Sequence, residues 1–149
     1  MKIVIFCEAQ KLRNGKENPK NYPWWRELIS LLEKEGHEII QVGTSLDKKY
    51  TDNFVTLPLK ELKELINKFD LFISIDSMGQ HLAWRVGKKG IVLFGQSDPS
   101  IFGHDENINL YSDKRYFRPF QFQTWEECEY IKEAFVPPEI VLQEIHLHK

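Results

Sequence analysis

The sequence predicts one three-layer α/β domain, with a mostly parallel sheet between two layers of helices. Its 149 residues are enough for one domain but too few for two ordinary ones. Apolar runs rich in β-branched residues, typical of strands covered on both faces, alternate with amphipathic helical segments. Such alternation implies right-handed βαβ units. Neither a repeat nor a change in composition marks a linker, so residues 1–149 are expected to form a single domain.

The first half of the chain supplies three strands and a helix. Ile3–Cys7 is a continuous apolar run that predicts a buried strand, and a long polar loop follows it. Pro23 can begin a helix whose apolar residues recur at helical spacing, and Gly36 ends it. Glu38–Val42 is the second predicted strand, and Phe54–Leu57 is a short third one.

The alternation continues in the second half. Pro58 precedes an amphipathic helix with one apolar face, formed by Leu59, Leu62, Leu65, Ile66 and Phe69. The strands that follow are Leu71–Ile75, Ile91–Phe94 and a small one at Asn107–Leu110, with a short helix over residues 79–88.

Two helices are predicted near the C-terminus. Thr124–Phe135 begins with a Thr and carries Glu127 three residues later, which is a capping-box pattern. A final helix from Glu139 to about His146 follows the pair Pro137-Pro138.

Composition excludes several classes of protein. The net charge of −2 argues against a general nucleic-acid binder. Residues 1–30 hold six Lys or Arg against three acids, which favours either a site for a small anion or a solvated surface. Cys7 and Cys128 make neither a disulfide framework nor a metal cluster, and Cys7 is expected to be a buried thiol. The apolar N-terminal run is too short for a signal peptide or a membrane span, so a cytoplasmic location is expected.

The corner at Asp76 is the strongest candidate site. In parallel sheets, ligands bind beyond the carboxyl ends of the strands, and Asp76-Ser77 stands at such an end. The next helix begins near Met78, and its first N–H groups can hold a phosphate, with Gly79 allowing close approach and His81 adding a donor. Asp76 would repel a phosphate, so we expect it to accept loop N–H groups and hold the corner in shape. The alternative is an ordinary helix cap with no ligand.

Other nucleotide sites are excluded by their missing motifs. There is no G-x-G-x-x-G after the first strand and no G-x-x-x-x-G-K-[ST] anywhere, so dehydrogenase and P-loop hypotheses are poor. Metal-ligand spacing is also missing, and no cofactor is expected. Spacing identifies no nucleophile–base pair, so the catalytic residues are unknown.

The same corner resembles glycosyltransferase family 9, the heptosyltransferase-like enzymes. Members carry Asp-(Ser/Thr)-x-x-x-His-Leu-Ala, a short helix ending in Gly-Lys, an apolar strand and Phe-Gly-x-(Ser/Thr)-x-Pro. Here these are DSMGQHLA (76–83), Gly87-Lys88, IVLF (91–94) and FGQSDP (94–99). KNYPWWRELISLLEKEGHEIIQVG (20–43) and FVPPEIVLQEI (135–145) are similar to the family's first helix and strand and to its closing helix. Met78 stands where the family usually has glycine.

The resemblance implies a Rossmann-like domain equivalent to one half of a GT-B glycosyltransferase, the half that binds the nucleotide sugar. It implies that an ADP- or UDP-sugar is the ligand. The diphosphate would then contact Ser77, Met78, Gly79, Gln80, His81 and Lys20, with Asp76 as loop scaffold. The base and ribose would lie near Gln41, Gly43 and Leu57.

Three functions remain open at this point. The first is a glycosyltransferase, whose acceptor site and catalytic carboxylate belong to a half that this chain lacks. It would need a partner protein or a second copy of the chain, and Glu8 is the only nearby carboxylate to nominate. The second is a non-catalytic nucleotide or nucleotide-sugar module acting as sensor, sponge or regulatory subunit. The third is an interaction domain that uses the aromatic residues after position 110, which are equally compatible with packing over the sheet.

Overall fold

The computed structural model describes residues 1–148, which form a six-stranded, all-parallel sheet in the order β3-β2-β1-β4-β5-β6. The strands are β1 Lys2–Phe6, β2 Glu38–Val42, β3 Phe54–Val55, β4 Leu71–Ile75, β5 Gly90–Leu93 and β6 Ile108–Leu110. The α-helices are α1 Trp25–Lys34, α2 Leu59–Lys68, α3 Met78–Arg85, α4 Pro99–Phe102 and α5 Pro138–Leu147. The predicted α/β fold with a parallel sheet is confirmed.

Both faces of the sheet are buried, as the continuous apolar runs predict. In β1, Ile3 and Ile5 face a cluster that also contains apolar residues of α1 and α5. Val4 and Phe6 point the other way, into a cluster shared with α2 and α3. Successive side chains of a strand alternate between faces, so a strand that is apolar throughout requires helices on both sides.

The order of the strands places a crevice beside β1. The chain moves outward from β1 to β2 and β3, then returns to pair β4 with the other side of β1. Phe6, near the end of β1, is aligned with Val42 on one side and Ser74 on the other. The loops after β1 and β4 therefore diverge, which is the usual place for a ligand in an open parallel sheet.

The predicted helix at Thr124–Phe135 is wrong. This segment contains only two 3₁₀ turns, Trp125–Glu127 and Lys132–Ala134. Thr124 makes no capping hydrogen bond, and the Glu127 carboxylate instead accepts the side-chain amide of Gln123 at 2.6 Å. The capping-box pattern was overridden by long-range contacts, because the segment crosses the carboxyl edge of the sheet in a mostly extended form.

Other boundaries shift only slightly. The third strand pairs over two residues instead of four, and the closing helix extends over Pro138–Leu147. Cys7 is a buried free thiol, as expected. Within residues 1–148, the helices are too short or too polar for any of them to cross a bilayer.

Candidate functional site

A cleft of about 920 Å³ opens at the carboxyl edge of β1, β2 and β4. Its walls come from the loop after β1, the loop after β2, the corner between β4 and α3, and residues 124–126. These last residues belong to the crossing segment, which comprises residues 117–131. Of the residues predicted for the diphosphate, Lys20, Ser77, Met78 and Gly79 line it, together with Asp76. The crevice predicted by the strand order is therefore a real cavity.

Asp76 is fixed by side chains instead of the expected loop N–H groups. It is 6% exposed, and its Oδ1 accepts the Gln80 amide at 2.9 Å. Its Oδ2 lies 3.7 Å from the Lys20 ammonium. Gln80 also donates to the Phe102 carbonyl at 3.3 Å, and it is not among the residues that line the cleft. Asp76 thus links the strand end, α3 and the first loop.

The N-terminus of α3 faces the cleft without a side-chain cap. Ser77 has extended backbone angles at the N-cap position, but its hydroxyl makes no capping hydrogen bond and lies 3.4 Å from the hydroxyl of Ser74. The first N–H groups of an α-helix have no partner inside the helix and carry partial positive charge. Met78 is 60% exposed at the rim. The corner can therefore accept an anion.

Gly79 is required for packing. A Cβ atom built there would lie 2.4 Å from Cγ of Phe6, far inside van der Waals contact. The absence of a side chain lets α3 sit directly on the aromatic ring at the end of β1. The glycine that the sequence assigned to ligand approach therefore also sets the distance between helix and sheet.

Lys20 is held in place by an ordered loop. The buried side chain of Asn18 accepts the Lys20 N–H at 3.0 Å and donates to the Gln10 carbonyl at 2.9 Å. Asn21, also buried, accepts the Ala9 N–H at 2.8 Å. The long polar loop predicted between the first strand and helix is thus fastened internally, and it brings the Lys20 ammonium to the α3 corner.

His81 lies outside the cleft. Its Nδ1 is 2.8 Å from Nε2 of His104, and the His104 ring stacks on Trp84 with 4.7 Å between centroids. Burial and the neighbouring His104 lower the pKa of His81, which favours the neutral ring. The structure therefore pairs His81 with a histidine on the α4 side instead of placing it among the residues that line the cleft.

The residues predicted for base and ribose are also outside the cleft wall. Gln41 is fully buried, donates to the Lys48 carbonyl and accepts the Tyr50 N–H, both at 2.8 Å. A Cβ at Gly43 would lie 2.6 Å from Asp47 Oδ2, so this glycine packs against its own loop. Leu57 packs on the core cluster beside α2. The β2 side of the cleft is lined instead by Val42, Thr44, Leu46 and Asp47.

Carboxylates gather on the β2 side of the cleft. Glu8 Oε1 accepts the Lys48 N–H at 3.2 Å, and Asp47 Oδ2 accepts the Thr44 N–H at 2.8 Å. Partial burial, followed by the charge of Asp47, raises the pKa of Glu8. Residues 1–148 contain no group of three His, Cys, Asp or Glu side chains arranged to hold a metal ion.

Trp125 is the wall residue that sequence reasoning missed. The guanidinium of Arg118 lies 3.7 Å from its ring centroid, and the Lys20 ammonium lies 5.4 Å from it. The sequence placed Trp125 inside a helix. Local patterns favoured that helix, because Trp125, Cys128, Ile131 and Phe135 recur close to helical spacing.

Several solved heptosyltransferases share this fold. E. coli heptosyltransferase WaaC with ADP superposes with a TM-score of 0.67 at 18% identity, covering 99% of this chain and 44% of that one. E. coli ADP-heptose LPS heptosyltransferase II gives 0.67 at 17% identity, covering 97% and 45%. The dodecameric iron-containing heptosyltransferase TibC of enterotoxigenic E. coli, in complex with ADP-D-β-D-heptose, gives 0.59 at 16%, covering 91% and 35%. The chain thus spans less than half the length of these enzymes.

The profile of glycosyltransferase family 9 (heptosyltransferase) matches residues 1–116. The chain belongs to this family, which confirms the resemblance carried by the Asp76–Ala83 motif. No curated protein matches the chain. The crossing segment and α5 lie beyond the matched residues.

Proposed function

We propose that the cleft binds the diphosphate of an ADP- or UDP-sugar and that the chain is the donor-binding half of a glycosyl-transfer site. The observation that carries this proposal is the uncapped N-terminus of α3 beside the Lys20 ammonium, at the crevice next to β1. Helix N-termini with a nearby cation are suited to phosphate groups. Family 9 membership supports a sugar nucleotide as the source of that phosphate.

The charges of the cleft fit a ligand with a phosphate group at one end and hydroxyl groups at the other. Lys20 and the α3 N-terminus lie on the β4 side, where a diphosphate would be attracted. Glu8 and Asp47 lie on the β2 side, where they would repel phosphate but accept hydrogen bonds from hydroxyl groups. We infer that the ribose or sugar hydroxyls face the carboxylates and that the diphosphate faces α3.

Transfer needs more than this half-cleft. The acceptor hydroxyl oxygen would form a bond to the anomeric carbon while the bond from that carbon to the β-phosphate oxygen breaks, releasing a nucleoside diphosphate. A base must take the hydroxyl proton, and water must be excluded. We propose that an acceptor-half protein or a second copy of the chain closes the cleft and supplies the acceptor site. As the base within this chain we nominate Glu8, which lines the cleft and whose pKa is raised.

Calorimetry tests the binding step. ADP, UDP and inorganic pyrophosphate are titrated into the wild type, Lys20→Ala and Lys16→Ala, the last being an exposed lysine that does not line the cleft. We expect binding of at least one nucleoside diphosphate, weakened by Lys20→Ala and unchanged by Lys16→Ala. Failure of all three ligands to bind would refute the proposal.

Turnover is a separate measurement. The protein is incubated with ADP-heptose and with UDP-sugars, alone and with candidate acceptors or an acceptor-half protein, and released nucleoside diphosphate is measured. Release that depends on the acceptor supports transfer. Binding without release under every pairing would favour the non-catalytic alternative, which no observation on the described residues favours at present.

A further inference from the structure

The crossing segment, residues 117–131, is anchored to the sheet by a buried polar network. Gln96, which follows β5 and is 4% exposed, donates to the Glu129 carbonyl at 2.7 Å and accepts the Cys128 thiol at 3.1 Å. The Gln96 carbonyl accepts the Arg118 N–H at 3.1 Å and the Gln121 amide at 3.0 Å. One residue at the sheet edge therefore fixes both ends of the segment.

Arg118 then fixes Trp125. The arginine is 8% exposed, and its Nη2 donates to the carbonyls of Gln121 and Gln123. With its direction set in this way, its guanidinium lies 3.7 Å from the centroid of the Trp125 ring. A guanidinium over an indole is a favourable cation–π contact, and it is stronger when shielded from water. The indole therefore has a fixed contact partner in the cleft wall.

Lys20 lies between two attractive groups. Its ammonium is 5.4 Å from the Trp125 centroid and 3.7 Å from Asp76 Oδ2. The ring can attract the ammonium without neutralising it, whereas the carboxylate competes with any anion for it. An amine held by both is kept beside the N-terminus of α3 before a ligand arrives, so little side-chain freedom remains to be lost on binding.

We propose that Trp125 is a positioning residue for anion binding, which holds the Lys20 ammonium at the diphosphate end of the cleft. This inference rests on the proposed function, because it assigns the ligand of Lys20 as a phosphate group. It also gives the crossing segment, which lies outside the residues matched by the family, a role in the affinity of this particular chain for its donor.

A double-mutant cycle tests the proposal. Pyrophosphate and ADP are titrated into the wild type, Trp125→Ala, Lys20→Ala and the double variant. We expect Trp125→Ala to weaken both ligands by about three- to tenfold. We expect its effect to be largely lost when Lys20 is already alanine, because the two residues act through one ammonium. Trp84→Ala is the matched control, since Trp84 is 49% exposed and stacks on His104 outside the cleft wall.

Two further measurements keep the result interpretable. Trp125→Phe retains a smaller ring and should recover part of the affinity, even if Trp125→Ala loosens the segment. Carbon-bound protons next to the Lys20 ammonium should show an upfield ring-current shift in NMR spectra of the free wild type, absent in Trp125→Ala.

The outcomes separate the two proposals. If the wild type binds none of pyrophosphate, ADP and UDP, the proposed function fails and this inference fails with it. If the wild type binds but the Trp125 and Lys20 effects simply add, the positioning role is refuted and the proposed function stands. A loss for ADP without a loss for pyrophosphate would instead make Trp125 a stacking surface for the base, which also refutes positioning.

Discussion

The α3 corner and the crossing segment form neighbouring walls of one cleft but are stabilised over very different distances along the chain. In the corner, Gln80 bonds to Asp76 four residues away, and the Ser74 and Ser77 hydroxyls are three residues apart. In the crossing segment, Gln96 bonds to Glu129, and the Tyr130 hydroxyl donates to the Asn21 carbonyl at 2.7 Å across 109 residues. Local bonds leave a motif in the sequence, whereas bonds between distant residues leave none.

Adding a side chain at Gly79 should be the most damaging change to the corner. Gly79→Val would force atoms into the Phe6 ring, because even a Cβ would lie 2.4 Å from its Cγ. Overpacking of this kind costs about 1–3 kcal/mol or more. Thermal unfolding should show a Tm several degrees lower, and Phe6→Leu should partly restore Tm in the double variant. An unchanged Tm would show that the corner adapts and that the glycine has no packing role.

Removing Gln96 should loosen the crossing segment selectively. Gln96→Ala leaves the Glu129 carbonyl without its 2.7 Å partner, at a cost of about 1–3 kcal/mol. Hydrogen exchange should accelerate over residues 118–131 and stay unchanged over residues 76–85. Equal acceleration in both regions would mean that the two walls form one cooperative unit.

Asp76→Asn should have a smaller effect than these two changes, and it should strengthen anion binding. The variant keeps an oxygen for the Gln80 amide but removes the charge 3.7 Å from the Lys20 ammonium. Pyrophosphate affinity in calorimetry should rise about two- to fivefold, because the ammonium no longer has a competing carboxylate. A lower affinity would indicate that the carboxylate is needed to hold Lys20 in place.

The smallest effect should come from Glu8. Its pKa is raised in the folded state, so the folded protein binds this proton more tightly than the unfolded chain does. This contribution is present at acidic pH and is lost as pH rises through the pKa of folded Glu8. Glu8→Gln should therefore raise Tm at pH 8 but not at pH 4. The gain in the free energy of unfolding should be less than about 1 kcal/mol, because solvent screens the group. Equal shifts at both pH values would point to packing instead of charge.

Sequence patterns predicted the sheet better than the cleft. The strands are apolar on both faces. The runs at β1 and β4 were therefore enough to predict buried strands with helices on both sides of the sheet. The family motif identified the corner around Asp76, where the bond between Gln80 and Asp76 is local. It did not reveal that His81 pairs with His104 or that Gln41 fastens its own loop. The position of Trp125 depends on Arg118 and Gln96, and no periodicity in the chain encodes such contacts.

The strand order that opens the cleft also determines which strand pairing can form late in folding. β1 lies in the middle of the sheet, yet its pairing with β4 joins Ile3 to Leu71, and the Lys2 N–H reaches Asp70 across 68 residues. Contacts so distant in sequence form slowly, because the loop between them must close first. During synthesis, the edge of β1 that pairs with β4 stays unpaired until about seventy more residues have been made. The carboxyl-edge crevice therefore comes with a period in which β1 is an exposed edge, open to pairing with the wrong strand.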